Sequence, residues 1–404
     1  MRTASVAALF TVSCALACAK HPQQGGRIVT TDGALAVSNL SAQIAGQEVL
    51  LKRRPASIET VGALIELLEA RAQFTGSVND YRRVAELGQS AVATAPQDPA
   101  ARIARASSFA ALHKFPEALA DLDGVDDPAA KSLRASILQA QGHTAEALEL
   151  RRAAVREYAN TKALGALAAV EPDLPAALLR FADAEKAYRD TSPFPLAWLD
   201  FQRGLLFEKR GRFDEARAAY AAAVERLPQY AQAQAHLAGM TAVLGDRVRA
   251  VAILRPLATL DDPEYAGLLA GLEPDPAEAA RLRNDAARRY EALLLQFPQA
   301  FADHAARFYL DHQPARALVL ARLNLGVRKT REAYDLALSA AIAANESDCA
   351  LAKQAAALPD GGRRMQTLAE RACPSIAAGG AGGGRRRDVS PKAPTAAVSA
   401  APAR

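Results

Sequence analysis

Aromatic residues are scarce in this chain, 5% of 404 positions, although half of all residues are hydrophobic. The apolar mass is mainly Ala and Leu. These are strong helix formers whose small or flexible side chains let helices approach closely. An antiparallel β-sandwich would need more Val, Ile, Tyr and Thr, so the expected fold is all-α. Long hydrophobic runs are also missing. The one apolar stretch near the start, residues 4–17, is too short to span a bilayer, which takes about 20 residues, and no later segment is long enough either. A concentrated basic surface is lacking as well. The formal net charge is +5, but the residues from Pro374 onward carry +4 of it through Arg385, Arg386, Arg387, Lys392 and Arg404 against Asp388, and Arg2 adds one. The remainder is neutral. A nucleic-acid surface needs clustered cations on a folded face, so none is expected.

Cysteine is limited to four residues. Cys14 and Cys18 fall in the N-terminal segment, where Arg2 precedes the apolar run in the manner of an export signal. Small residues surround Cys18 in Ala15-Leu16-Ala17-Cys18. That string resembles a bacterial lipobox, which implies cleavage before Cys18 and lipidation of its thiol. Ala15 stands where such boxes usually carry Leu, and plain cleavage after Ala17 or Ala19 also fits. The chain is therefore expected to be exported, either membrane-anchored and facing the periplasm or soluble there. Cys349 and Cys373 remain, in a compartment where disulfides persist. Helical runs at 349–358 and 363–373 flank the turn cluster Pro359-Asp360-Gly361-Gly362, placing the two cysteines at one level of a helical hairpin. A disulfide and a pair of buried thiols are both compatible with this.

What is abundant is self-similarity. Gly204, Phe207, Gly211, Ala216, Tyr220, Ala223 and Pro228 reappear 34 positions later as Ala238, Thr241, Gly245, Ala250, Leu254, Leu257 and Asp262. Small residues at the first position let one helix nest on the next. Gly211 and Gly245 suit a left-handed helix end. Ala216 and Ala250 suit a tight helix crossing, and Pro228 stops the second helix. The string from Gly204 to Pro228 closely resembles the tetratricopeptide consensus. Partial matches include Ala135, Leu138, Gly142, Ala147 and Ala154, and also Ala106, Phe109, His113, Ala118 and Leu122, with His113 at the glycine position. Gly76, Tyr81, Ala85 and Pro96 look like a first unit. Ala286, Tyr290, Leu293 and Pro298 form a later one, and Ala333, Ala340, Asn345 and Ala350 a last one, with Asn345 in place of Gly. Spacings of 29 and 30 residues between Ala118, Ala147 and Ala177 show that some units are trimmed. The segments Ser192-Pro193-Phe194-Pro195 and Phe301-Ala302-Asp303-His304-Ala305-Ala306 also look like a group of bacterial repeat lipoproteins with no assigned activity.

The resemblance implies an α-solenoid of about eight or nine stacked antiparallel hairpins, each too small to stand alone. The expected organisation is a signal peptide at 1–17, a tether and extended N-terminal arm at 18–56, a solenoid with a C-terminal capping helix at 57–376, and a disordered Gly/Ala/Pro/Arg tail at 377–404. In this family the first helix of each unit lines a concave groove that receives partner peptides or helices. Here that stripe is Trp198, Phe201, Leu205 and Glu208 on one helix, with Gln232, Gln234 and His236 on the next. The Lys, Asn and Arg clamp of the chaperone-binding subtype is absent. The apolar stripe fits a partner helix, the chain's own N-terminal arm, or plain core packing.

Candidates for chemistry are few. His304 and His312 lie about 12 Å apart on a continuous helix, too far to share a metal. Glycine pairs never occur in a strand–GxGxxG–helix setting, so a phosphate cradle is unsupported. The pairs Asp126-Asp127 and Asp261-Asp262 precede helix starts and read as caps. Arg385, Arg386 and Arg387 fit a solvated tail or contact with anionic head groups. No cofactor, metal or catalytic residue is expected. The functional expectation is a protein-binding scaffold or adaptor, with a periplasmic chaperone or an accessory subunit of an envelope complex as alternatives.

Overall fold

The computed structural model describes residues 23–24, 27–358 and 361–379. The signal peptide, Cys18 and the tail from residue 380 onward lie outside the described residues. A two-residue antiparallel pair, β1 (Gln23–Gln24) and β2 (Arg27–Ile28), precedes a wholly helical body. After α1 (Gly33–Arg53) come α2 (Ile58–Thr75) with α3 (Asp80–Thr94), α4 (Pro99–Ala111) with α5 (Phe115–Asp121), and α6 (Pro128–Gln141) with α7 (Thr144–Glu157). Then follow α8 (Thr161–Ala168) with α9 (Leu174–Lys186), α10 (Pro193–Glu208) with α11 (Phe213–Arg226), and α12 (Ala231–Val243) with α13 (Arg247–Leu257). The series ends with α14 (Pro263–Leu272) and α15 (Pro276–Gln296), α16 (Pro298–Tyr309) and α17 (Pro314–Leu325), α18 (Arg331–Ala343) and α19 (Cys349–Ala356), and the closing α20 (Gly362–Ala372) and α21 (Pro374–Gly379). Among the described residues this makes nine hairpins between α2 and α19.

The chain punctuates these helices with one recurring device. Asp98, Asp127, Asp262 and Asp275 cap helix starts, each accepting a backbone N–H two residues on and each followed directly by proline. A cap satisfies an otherwise orphaned donor, and proline at the first helical position loses nothing because its missing N–H had no partner there. Six of the nine hairpin turns use a left-handed backbone, four of them at Gly76, Gly142, Gly211 and Gly245. His113 (φ 55°) and Asn345 (φ 53°) adopt it too, at the two positions where the repeat substitutes another residue for glycine.

Even-numbered helices line the inside of the curve: α2 touches α4, α4 touches α6, α8 touches α10, α14 touches α16 and α16 touches α18. Ala216 and Ala250, one repeat apart, are both 0% exposed, each at the start of an outer helix where it crosses its inner mate. This is the tetratricopeptide-like α-solenoid that the repeats imply.

Two segments differ from expectation. Residues 33–53 of the presumed extended arm form the helix α1, capped by Asp32, with Ala36, Leu40 and Ile44 buried beside Val61, Leu64 and Leu68 of α2. Its buried stripe is one residue wide, and Leu35, Val49 and Leu50 point to solvent, so the helical period is blurred in sequence. Only the stretch before it is extended; there the Thr31 amide donates to the Thr191 carbonyl at 2.7 Å. At the other end α21 runs to Gly379 rather than stopping at 376. Cys349 and Cys373 are joined as a disulfide with Cα atoms 4.8 Å apart, tying the start of α19 to the end of α20.

The superhelix closes upon itself. The α2–α3 turn enters the curve, with the Phe74 ring 4.9 Å from Phe194 of α10 and 4.8 Å from Tyr230 at the start of α12. Val78 joins Tyr290, Leu293 and Phe301 in one apolar cluster, and Arg82 donates twice to Gln296 at 3.1 and 2.8 Å. Farther along, the Lys329 amide donates to the Gln141 carbonyl at 3.1 Å, and Lys209 pairs with Glu332 at 3.4 Å.

The seam at Gly142 is testable. Its φ is 94°, and a Cβ there would sit 2.6 Å from the Lys329 carbonyl oxygen, whereas Gly211 (φ 70°) has nothing within 4 Å. Gly211→Ala should cost about 1–2 kcal/mol for the left-handed backbone alone. Gly142→Ala should cost clearly more in urea unfolding, because it also pushes the two arms apart. Equal losses would mean that the seam is not a tight contact.

Candidate functional site

Two prolines, Pro193 and Pro195, open α10, and its stripe residues then take different roles. Phe201 is fully buried, its ring 5.6, 5.1 and 5.3 Å from those of Tyr220, Tyr230 and His236. Leu205 is half-buried against the same cluster. Trp198 turns toward the preceding hairpin, where it stands over Gly165 of α8 with its indole N–H buried and unpartnered. Glu208 accepts a hydrogen bond from the Tyr220 hydroxyl at 2.5 Å and lies 2.9 Å from Nδ1 of His236. His236 is 1% exposed. Gln232 is half-buried with an unpartnered Oε1, and Gln234 turns back to the Pro228 carbonyl. The structure therefore brings Phe201, Leu205, Glu208 and His236 together, sets Trp198 between this cluster and the preceding hairpin, and turns Gln234 away.

The apolar stripe is already covered. Phe74 from the α2–α3 turn packs on Tyr230, which in turn packs on Phe201. Of the readings the sequence allows, packing within the chain is the one in place: Phe74 and Ala70 of α2 and Val37 of α1, in the segment expected to be the arm, all lie against this cluster.

The inner helices also carry a polar ladder that sequence reading missed. Glu208 of α10 pairs with His236 of α12, and Glu264 of α14 pairs with His304 of α16 at 3.2 Å. His304 lies beside Asp303, which also meets Arg328 at 3.2 Å. Burial alone would pull His304 down, but the carboxylates of Asp303, Glu264 and Asp262 outweigh it and push His304 up to about 10. Burial raises Asp303 and Glu264, but it is outweighed on Asp303 by the combined pull of His304, Arg328, His113 and Arg307, and on Glu264 by the charge and hydrogen bond of His304 together with His236. Both end below the usual carboxylate range. Asp262 is pushed up to about 6 by burial and by the neighbouring Glu264. Sequence carried a partial signal here, since it placed Asp303 beside His304, but the acid that completes the pair comes from another hairpin.

The sign of the resulting pH dependence is fixed by these directions. An imidazole raised above its unfolded value near 6.5 stabilises the fold fully below that pH and loses its contribution as pH climbs toward 10. The difference in unfolding free energy between wild type and His304→Gln should shrink over that interval. A difference that stays constant from pH 6 to 10 would show His304 to be uncharged in the fold.

These groups pair across neighbouring hairpins and are largely shut away from solvent, with His236 Nε2 and Arg328 Nε left unpartnered, an arrangement suited to holding the hairpins in register. Among the described residues no group of three or more His, Cys, Asp or Glu side chains is placed to hold a metal ion, and no helix is long and apolar enough to cross a membrane. A cavity of about 470 Å³ opens between α13, α14 and α15, lined by Arg255, Thr259, Leu269, Glu278, Arg281 and Arg289. Its arginines are bound to Glu273, Glu278 and Asp285.

No family model and no curated protein matches the sequence. Among solved structures the chain is similar to the TPR domain of P58(IPK), at 18% identity and a TM-score of 0.21 over 74% of this chain and 95% of that one. It is also similar to the APC/C hetero-tetramer Cut9-Hcn1, at 12% identity and a TM-score of 0.27 over 84% of this chain and 92% of that one. Likeness at that level says nothing of function, and the solenoid assignment rests on the hairpins themselves.

Proposed function

We propose that this protein is a non-catalytic, protein-binding scaffold of the bacterial cell envelope, held to the membrane by a lipid on Cys18. The observation that carries the binding role is what fills the concave face. That surface accepts a helical turn with aromatic side chains, Phe74 and Tyr81, against Phe194, Tyr230 and Phe301. A partner presenting an amphipathic helix meets the same apolar chemistry and competes with the α2–α3 turn for it. Affinity comes from apolar burial, with polar edges setting specificity. The export and anchoring parts of this reading are supported by Arg2, the apolar run and the small residues before Cys18.

A photo-crosslinking amino acid placed at Leu205 should trap the same few proteins in intact cells, and more of them when Phe74→Ala loosens the resident turn. Adducts formed only from the outer face, as at exposed Leu179, would remove the groove from the account. Cys18→Ala should move the protein from the membrane to the soluble fraction; an unchanged distribution would remove the anchor.

A further inference from the structure

The outward faces of the outer helices carry ion pairs, among them Glu149–Arg152 on α7, Asp214–Arg217 on α11 and Glu278–Arg281 on α15. Helix α1 departs from this pattern. Its residues 33–51 hold one charge, Glu48, and that carboxylate is turned to Arg83 of α3 at 2.9 and 3.0 Å. The buried stripe Ala36, Leu40 and Ile44 faces α2, so the helical period sets Leu35, Ala42, Gly46 and Val49 on the opposite side. All four are exposed, Leu35 by 53% and Val49 by 48%, and exposed Leu50 borders them. Three consecutive cations, Lys52, Arg53 and Arg54, close the helix. All are exposed, and none has an ion-pair partner among the described residues. The acid at the other end, Asp32, is engaged in capping the Leu35 amide.

The path of the chain into α1 bears on what covers this face. Just before the helix the backbone is pinned to the body, with Arg226 donating to the Ile28 carbonyl at 3.3 Å and Thr31 donating to that of Thr191. Nine residues separate Cys18 from Arg27, a reach of about 30 Å at most. An attachment at Cys18 therefore keeps the entry to α1 close to the bilayer. A protein partner fits this face poorly. It is about 32 Å long and 10–12 Å wide, well short of the roughly 800 Å² per partner of a stable protein interface. Small residues at its centre also offer no aromatic or arginine anchor. A bilayer needs no pocket, and a tether supplies the local concentration that so shallow a contact lacks.

We propose that α1 is the membrane-facing surface of the protein, lying along the lipid surface to which Cys18 is attached. Leu35, Val49 and Leu50 enter the headgroup boundary, and Lys52, Arg53 and Arg54 meet anionic headgroups. The inference rests on the anchor at Cys18 and adds an orientation to it. A lipid chain combined with a basic patch makes a two-part attachment, and the second part decides which side of the solenoid is turned to the membrane.

The test places the full chain on vesicles of phosphatidylethanolamine and phosphatidylglycerol in two forms. One is the protein as isolated from cell membranes; in the other, residues 1–18 are replaced by an oligohistidine segment bound to a nickel-chelating lipid. The second form is tethered whether or not Cys18 is acylated in the cell, so its result stands if the anchor fails, and the mass of the native N-terminus reports acylation separately. Brominated lipid should quench the fluorescence of Ala42→Trp at least about twofold more than that of Val319→Trp, an exposed site on α17. The native Trp198 is half-buried and common to both variants. Exchanging phosphatidylglycerol for phosphatidylcholine should lower the quenching at position 42 by about half or more, and so should Lys52→Gln, Arg53→Gln and Arg54→Gln together. Equal quenching at 42 and 319 overturns the proposal, and so does quenching at 42 that ignores both changes of charge. A second copy covering α1 would leave Ala42→Trp unquenched in a dimer, which is equally fatal.

Discussion

Replacing Tyr220 by alanine is expected to destabilise the protein by about 3–5 kcal/mol, the range for emptying a large, fully buried aromatic site. The ring is 0% exposed and contacts Phe201 and His236, with centroids 5.6 and 4.9 Å away. Its hydroxyl also donates to Glu208, the acid that pairs with His236. Tyr220→Phe separates the two contributions. It keeps the ring and loses only the bond to a charged acceptor, about 1.5–3 kcal/mol. Chemical unfolding of the pair of variants should therefore show the alanine loss exceeding the phenylalanine loss. Equal losses would mean that the ring packs loosely and that the hydroxyl alone holds the site.

Phe74→Ala is the second large effect, about 3–5 kcal/mol by the same reasoning, but its distribution along the chain differs. Phe74 belongs to α2, yet its ring neighbours Phe194 and Tyr230 belong to hairpins far along the sequence. In an open solenoid a core substitution weakens its own unit and the adjacent ones. In this closed one, amide hydrogen exchange should accelerate in α10 and α12 as well as in α2. Exchange confined to α2 and α3 would indicate an open groove.

How much of this could be read beforehand follows from the range of each interaction. Local rules were legible. The left-handed turns at Gly211 and Gly245 were visible, and so were those at His113 and Asn345, because the repeat register marks where glycine is missing. The aspartate caps at Asp127 and Asp262 were visible because aspartate before proline leaves few other roles. The nine hairpins follow from small residues recurring in step. The contents of the groove were not legible. Arg82 and Gln296 are 214 residues apart, and what joins them is the superhelical curvature, a sum of small rotations at every hairpin junction. With units trimmed to 29 or 30 residues, that sum cannot be taken from the sequence. The same holds for the ladder, since Glu264 and His304 sit in different units whose relative rotation decides whether they meet. For α1 the difficulty was of another kind. A buried stripe as narrow as Ala36, Leu40 and Ile44 leaves most of the helix free to carry any residue, so its period is faint.

The closed superhelix is tested most directly by a short thiol crosslinker applied to an Arg82→Cys/Gln296→Cys double variant in which Cys349 and Cys373 stay paired. Both positions are exposed, and their native side chains are hydrogen-bonded at 2.8 Å. The expected result is rapid intramolecular crosslinking of the folded monomer, abolished by denaturant. A folded, monomeric double variant that reacts with the reagent at both cysteines yet never links them would contradict the closed groove.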